Sequence, residues 1–171
     1  MAMTITHASS GSVTLKDTQT VLGKTVSAPA VLSYSYAWTS GIGLNQADLW
    51  YVSIGKTLAT ATADTYDLDG SLTDTIGAAM VYAKVKEIIV HITSVVVGDI
   101  LVIGAGSAPI PLFTTPAGDS LSIGPGGLFH VCDPSLLGLC AVTATTADIL
   151  TLTNSGANTV TYDIAIIGTT A

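Results

Sequence analysis

Runs rich in Val, Ile, Thr and Tyr, cut at short intervals by Gly and Pro, give this chain the rhythm of strands and turns. Val31 to Trp38 (VLSYSYAW) alternates strictly, with Leu32, Tyr34, Tyr36 and Trp38 on one face and Val31, Ser33, Ser35 and Ala37 on the other. A period of two specifies a strand, here with one bulky and one small face. The final run, TVTYDIAII, keeps Val160, Tyr162, Ile164 and Ile166 on one face. Ala165 and Ile167 make its far end apolar on both, which predicts cover on both sides. SVVVGDILVIG sets Gly98-Asp99 between two apolar runs, the Gly-first pair suited to a two-residue hairpin. LSIGPGGLFHV turns in the same way at Gly124-Pro125-Gly126-Gly127, and ILTLTNSGANTVTYDIAII turns between Asn154 and Asn158. Only DTIGAAMVYAKVK, Asp74 to Lys86, fits a 3.6 period and predicts one short helix before VKEIIVHIT resumes as a strand. The pattern is that of an all-β fold, an antiparallel sandwich or barrel.

At 171 residues the chain has the length of one domain with a full core. Residues 1–10 are small and polar without a strong period and read as an N-terminal arm ordered by a partner; residues 11–171 read as a single domain. Charged residues make up only 10% against 49% hydrophobic, so the surface must be built largely from Thr, Ser, Ala and Gly; there are 25 Thr and 21 Ala. A surface this poor in charge suits a subunit packed against other subunits, because charge is depleted at interface cores. The competing reading is a neutral monomer. A net charge of −7, with five Lys and no Arg, argues against nucleic acid as a partner. The opening MAMTITHASSG has neither the basic nor the apolar region of a secretory signal, so synthesis in the cytoplasm is expected. Ile88 to Gly98 is too short to span a bilayer, and no membrane association is expected.

The densest chemistry lies in YDLDGSLTD, Tyr66 to Asp74. A calcium loop of the EF-hand type needs Gly at its sixth position and Glu at its twelfth; here Gly70 falls fourth and Ala78 twelfth. Other calcium geometries through Asp64, Asp67, Asp69 and Asp74 compete with the simpler reading, an Asp-Gly turn followed by Asp74 capping the short helix. Asp67 and Asp69 share a face of an extended segment, without the cleft that a glycosidase pair requires. Gly23-Lys24-Thr25 and Gly55-Lys56-Thr57 lack the first glycine of a phosphate loop, where Thr18 and Trp50 stand. Gly104 and Gly106 follow a strand, but Pro109 and PIPLFTTP preclude the helix of a dinucleotide site. His130 and Cys132 alternate onto one face and Cys140 follows, so a zinc site on these three competes with a Cys132–Cys140 disulfide and with reduced, packed thiols, the last being the expectation. His7 and His91 stand apart from them. Tyr34, Tyr36 and Trp38 form either a sugar-stacking platform or, with Leu32 in the row, a core or subunit contact. No catalytic, cofactor-binding or metal-binding residue is assigned, and no cofactor is expected.

PGGLFHVCDPSLLG followed by ADILTLTNSGANTVTYDIAIIG resembles small virion structural proteins of tailed bacteriophages, head decoration or cement proteins in particular. The likeness covers about the last fifty residues in detail and the rest in composition. It implies an antiparallel β-sandwich of jelly-roll type, and a non-enzymatic, trimeric subunit on the outer capsid surface with the major capsid protein as partner. A tail, connector or glycan-contacting receptor-binding module is the alternative. The family brings no catalytic or ligand residues.

Overall fold

The computed structural model describes the backbone of residues 7–21, 24–104, 106–113 and 118–171, with side chains from residue 37 onward. In chain order the first strands are β1 (His7–Val21), β2 (Lys24–Ser40), β3 (Gln46–Ala47), β4 (Leu49–Leu58), β5 (Ala63–Asp67), β6 (Asp69–Thr73) and β7 (Ala79–Val81). There follow β8 (Lys84–Ile92), β9 (Leu101–Gly104), β10 (Ser120–Ile123), β11 (Leu128–Cys132), β12 (Cys140–Ala141), β13 (Ile149–Asn154) and β14 (Val160–Thr169).

Alternation along the central strands decides the architecture. Ile88, Val90 and Ile92 of β8 and Val160, Tyr162, Ile164 and Ile166 of β14 turn inward from one sheet. Leu101 and Ile103 of β9 and Leu150 and Leu152 of β13 meet them from the other. The front sheet runs β11-β8-β14-β4, with β12 also on β8, and the back sheet runs β10-β9-β13-β5. The pairs β4/β5, β8/β9, β10/β11 and β13/β14 each place one strand in either sheet, and the two strand orders match pair for pair. That arrangement is a jelly roll, in which antiparallel pairs wrap around one core.

The three turns expected to close hairpins are sheet crossings instead. Gly98-Asp99 joins β8 to β9, Gly124 to Gly127 joins β10 to β11, and Asn154 to Asn158 joins β13 to β14, each from one sheet to the other. The turn residues are as anticipated, with Gly98 at φ 95° and Gly126 at φ 66°. A hairpin would require ladder neighbours that are already taken: β8 lies between β11 and β14, and β9 between β10 and β13. The crossings are stitched at one end of the sandwich. Buried Asn154 donates from Nδ2 to the carbonyls of Leu58 (2.9 Å) and Asn158 (2.7 Å) and accepts from Gly156 N (2.9 Å). Ala157 N donates to Gly98 O at 3.2 Å and Gly126 N to Ser94 O at 3.0 Å.

The short helix expected over Asp74 to Lys86 does not form; among the described residues there is no helix. Asp74 does cap, but it caps a turn: its Oδ1 accepts from Ile76 N (2.9 Å) and Ala78 N (2.8 Å), and Gly77 at φ 84° leads the chain into β7. Met80 and Tyr82 then bury while Val81 is exposed, a period of two that short windows confuse with 3.6.

Before the sandwich lies a long antiparallel ribbon. β1 pairs with β2 without interruption from His7 opposite Trp38 to Val21 opposite Lys24, and β3 adds a short parallel bridge at Thr39 and Ser40. Of the N-terminal ten residues, 7–10 thus belong to β1, and 1–6 lie outside the described residues.

Candidate interaction surface

The outer face of the front sheet is where the ribbon meets the sandwich. Register builds it row by row: Trp50, Ile167, Glu87 and Cys132 stand side by side on β4, β14, β8 and β11, and next to them Val52, Ala165, Ile89 and His130. Ile167 was expected to be covered on both sides of its strand. It is 3% exposed, beneath Trp38 and Ala47 at the base of the ribbon.

Beneath Trp38 sits a buried polar network. Trp38, 1% exposed, donates from Nε1 to Glu87 Oε2 at 2.5 Å, and Glu87 Oε1 lies 2.8 Å from His130 Nε2. A carboxylate taken out of water persists only when hydrogen bonds replace its hydration. Glu87 is fully buried, so this network both anchors the ribbon and depends on it. Lys86 is the extra residue of a bulge, because Ile167 faces Glu87 while Gly168 faces Val85. Its Nζ donates to Gly43 O at 2.7 Å and stands 5.9 Å from the centre of the Trp38 ring. Burial pulls its ammonium below the usual value, Lys84 adds to the fall, and Asp133 and Asp48 oppose it.

Away from the ribbon the same face is open. Along β4, Trp50 (41%), Val52 (46%) and Ile54 (77%) project outward, while Tyr51 packs against the core between them. Beside the row an indentation of about 60 Å³ is lined by Trp50, Tyr51, Val52, Thr73, Asp74 and Thr75. At the crossing end Val95, Val96 and Val97 are exposed, and at the other end Leu136 and Leu137.

The sequence-level candidates are dispersed. Asp67 accepts from Asp69 N (2.9 Å) and Ser71 Oγ (2.5 Å), shaping a turn through Leu68 and Gly70. Asp64 accepts from the Tyr162 hydroxyl and lies 3.5 Å from Lys56 Nζ. Tyr162, its one proton given to Asp64, accepts from the Tyr66 hydroxyl across 2.6 Å, and burial, with these bonds, pushes the Tyr162 phenol far above its ordinary value. Among the described residues no three His, Cys, Asp or Glu side chains come together to hold a metal ion. His130 and Cys132 share the outer face, whereas Cys140 points into the core, and both thiols are free. Burial first, then Glu87 and Asp133, pushes Cys132 up to about 12; burial alone raises Cys140 to about 12. The shifts favour the neutral thiol over the thiolate at both positions.

Gly55 (φ 68°) occupies the bulge of β4 against β14, its N–H donating to Asp163 Oδ1 at 2.7 Å. Gly23 lies outside the described residues, and Lys24 opens β2. Gly104 and Gly106 both take positive φ, and no helix follows them. Of the aromatic row, Trp38 is inaccessible to a sugar, and the side chains of Tyr34 and Tyr36 lie outside the described ones.

Sequence reasoning missed the Trp38, Glu87, His130 network. Its signal is the chain's single Glu, set inside an apolar strand (VKEIIVHI), where a carboxylate needs a partner. It also missed the row on LWYVSIG, whose alternation is plain once read. Comparison with protein-family models, with curated proteins and with solved structures finds no match. No helix of the described residues is long and apolar enough to cross a membrane.

Proposed function

We propose that this chain is a non-enzymatic structural subunit of a virion, of the head-decoration kind, which docks on the lattice of a major capsid protein and stabilises it. The observation that carries the reading is a jelly roll with very little charge and large apolar side chains left in solvent, Trp50, Val52 and Ile54 in one row and further ones at both ends. Such surface is costly for a free monomer and useful for a subunit that ends its life in contact with others. The resemblance of the last fifty residues to small tailed-phage virion proteins gives the same direction. Mechanically, many copies each making a modest contact would brace a shell through avidity.

Sedimentation tests it. Purified chain mixed with isolated capsids of the virus that encodes it should pellet with them and saturate at a fixed ratio to the major capsid protein. Chain that stays in the supernatant at every ratio would reject the reading. Saturation at six or twelve copies per particle would move the subunit to a connector or tail.

A further inference from the structure

We infer that the indentation between β4 and the turn after β6 is a socket for an arginine side chain of another protein. Its lining sets Trp50, Tyr51 and Val52 of β4 against Thr73, Asp74 and Thr75. The volume, about 60 Å³, is far below the roughly 300–1,000 Å³ of small-molecule pockets. It suits the head of one side chain.

Asp74 gives the socket its sign. Its Oδ1 accepts from Ile76 N at 2.9 Å and Ala78 N at 2.8 Å, its N–H donates to Ala78 O at 2.9 Å, and its carbonyl accepts from Gly77 N at 3.1 Å. Four bonds thus hold the residue in one orientation, while Oδ2 makes no hydrogen bond or ion pair among the described residues. The turn uses one carboxylate oxygen and leaves the other for a donor from outside.

Trp50, 41% exposed, supplies the second requirement, an aromatic ring whose electron-rich face attracts a cation, tryptophan most strongly of the aromatic residues. Tyr51 next to it is held edge-on to Tyr66, with 5.8 Å between ring centres. A guanidinium answers both walls, since it stacks flat on an aromatic ring and offers N–H donors in its own plane to a carboxylate. Thr73 and Thr75, both exposed, add hydroxyl acceptors at the rim.

The occupant comes from outside this chain. The sequence holds no Arg, and no Lys among the described residues lines the indentation. Lys56 lies against Asp64 at 3.5 Å, and Lys86 donates to Gly43 O at 2.7 Å. With a net charge of −7, and Asp67 and Asp69 on the two strands that lead to Asp74, the local field favours a cation. Trp and Arg are also the residues in which interface hot spots are richest. The inference adds one specific contact to the capsid reading without resting on it, because any protein that presents an arginine could supply the side chain.

Nuclear magnetic resonance on the nitrogen-15-labelled full chain tests it, with N-acetyl-arginine methylamide as the probe and N-acetyl-citrulline methylamide, its uncharged isostere, as the control. The arginine probe should shift the Trp50 indole N–H and the amides of Thr73 to Thr75 saturably, at about millimolar affinity, and the citrulline probe should leave them in place. Asp74→Asn keeps an Oδ1 acceptor for Ile76 and Ala78, so the melting temperature should hold while affinity for the arginine probe falls about ten-fold or more. Trp50→Leu, on the opposite wall, should weaken the probe by a similar factor without touching the turn, and decides the matter should Asp74→Asn misfold. Equal shifts from the two probes, undiminished binding to a folded variant, or no shift at any soluble concentration of the arginine probe would overturn the inference. Shifts at these groups from glucose and none from arginine would also overturn it and make the socket a glycan contact.

Discussion

Replacing Glu87 with Leu asks whether the buried network, rather than apolar packing alone, fixes the ribbon to the sandwich. Leu matches the volume but leaves the Trp38 indole N–H, 2.5 Å from the carboxylate in the native chain, and the His130 ring nitrogen, 2.8 Å from it, without that acceptor. Each buried polar group left unpaired costs about 1–3 kcal/mol, and the added apolar burial returns only part of this. A net loss of roughly 2–5 kcal/mol follows, in line with the cost of breaking a buried polar pair. For a domain of this length that is a fall in melting temperature of roughly 5–15 °C. Gln is the control: it keeps an acceptor for the indole and offers a donor to neutral imidazole, so Glu87→Gln should lose clearly less. Thermal melts followed by circular dichroism give the ranking. In a Trp50→Phe background, leaving Trp38 as the chain's one tryptophan, emission should shift red in the Leu variant. A Leu variant as stable as wild type, or a Gln variant worse than Leu, would refute the reasoning.

Three further outcomes are expected. Asn154→Ala frees the Leu58 and Asn158 carbonyls and Gly156 N–H, and should cost roughly 2–4 kcal/mol in urea unfolding, with faster amide exchange at Gly156; unaltered exchange there would contradict the stitching role. Gly168→Ala pushes a methyl against the Lys84 carbonyl oxygen and the Tyr82 ring at the β14 bulge, and should destabilise by about 1–3 kcal/mol; a neutral result would mean the bulge opens freely. Cys140 stays protonated to about 12 when folded against 9.0 for the free thiol, so the folded chain binds more protons between those values and its stability falls as pH rises through them. Cys132, Tyr66, Tyr82 and Tyr162 are raised too and add to the slope. Cys140→Ala should flatten the urea midpoint between pH 9.0 and about 12; an identical profile would remove Cys140 from the explanation.

Much of the fold was legible in particular residues. Val160, Tyr162, Ile164 and Ile166 marked an inward face, and Ile167 beside them signalled the cover that Trp38 supplies. Turn chemistry located the reversals at Gly98, Gly126 and Asn154 but not their destinations. A glycine at positive φ reverses the chain alike within a sheet or between two, and the choice falls to the neighbours that complete each ladder. Asp74 misled for a related reason: a carboxylate that accepts from the N–H groups following it looks the same before a helix and before a turn. The surface was the least legible part. Trp50, Val52 and Ile54 alternate as a core strand would, but they stand on the outer face of the front sheet, which Trp38 and Ala47 cover at Ile167 and leave open along β4. Glu87 was hidden because its partners are remote in sequence, Trp38 in the ribbon and His130 on a different strand.

The proposal of a shell-bracing subunit is tested most directly by counting this chain in purified particles of a tailed phage whose genome carries its sequence, using isotope-labelled peptide standards for this chain and for the major capsid protein. A shell-bracing role predicts many copies per particle in a fixed ratio to the major capsid protein, all removable without opening the tail joint. Its absence from washed particles would contradict the account.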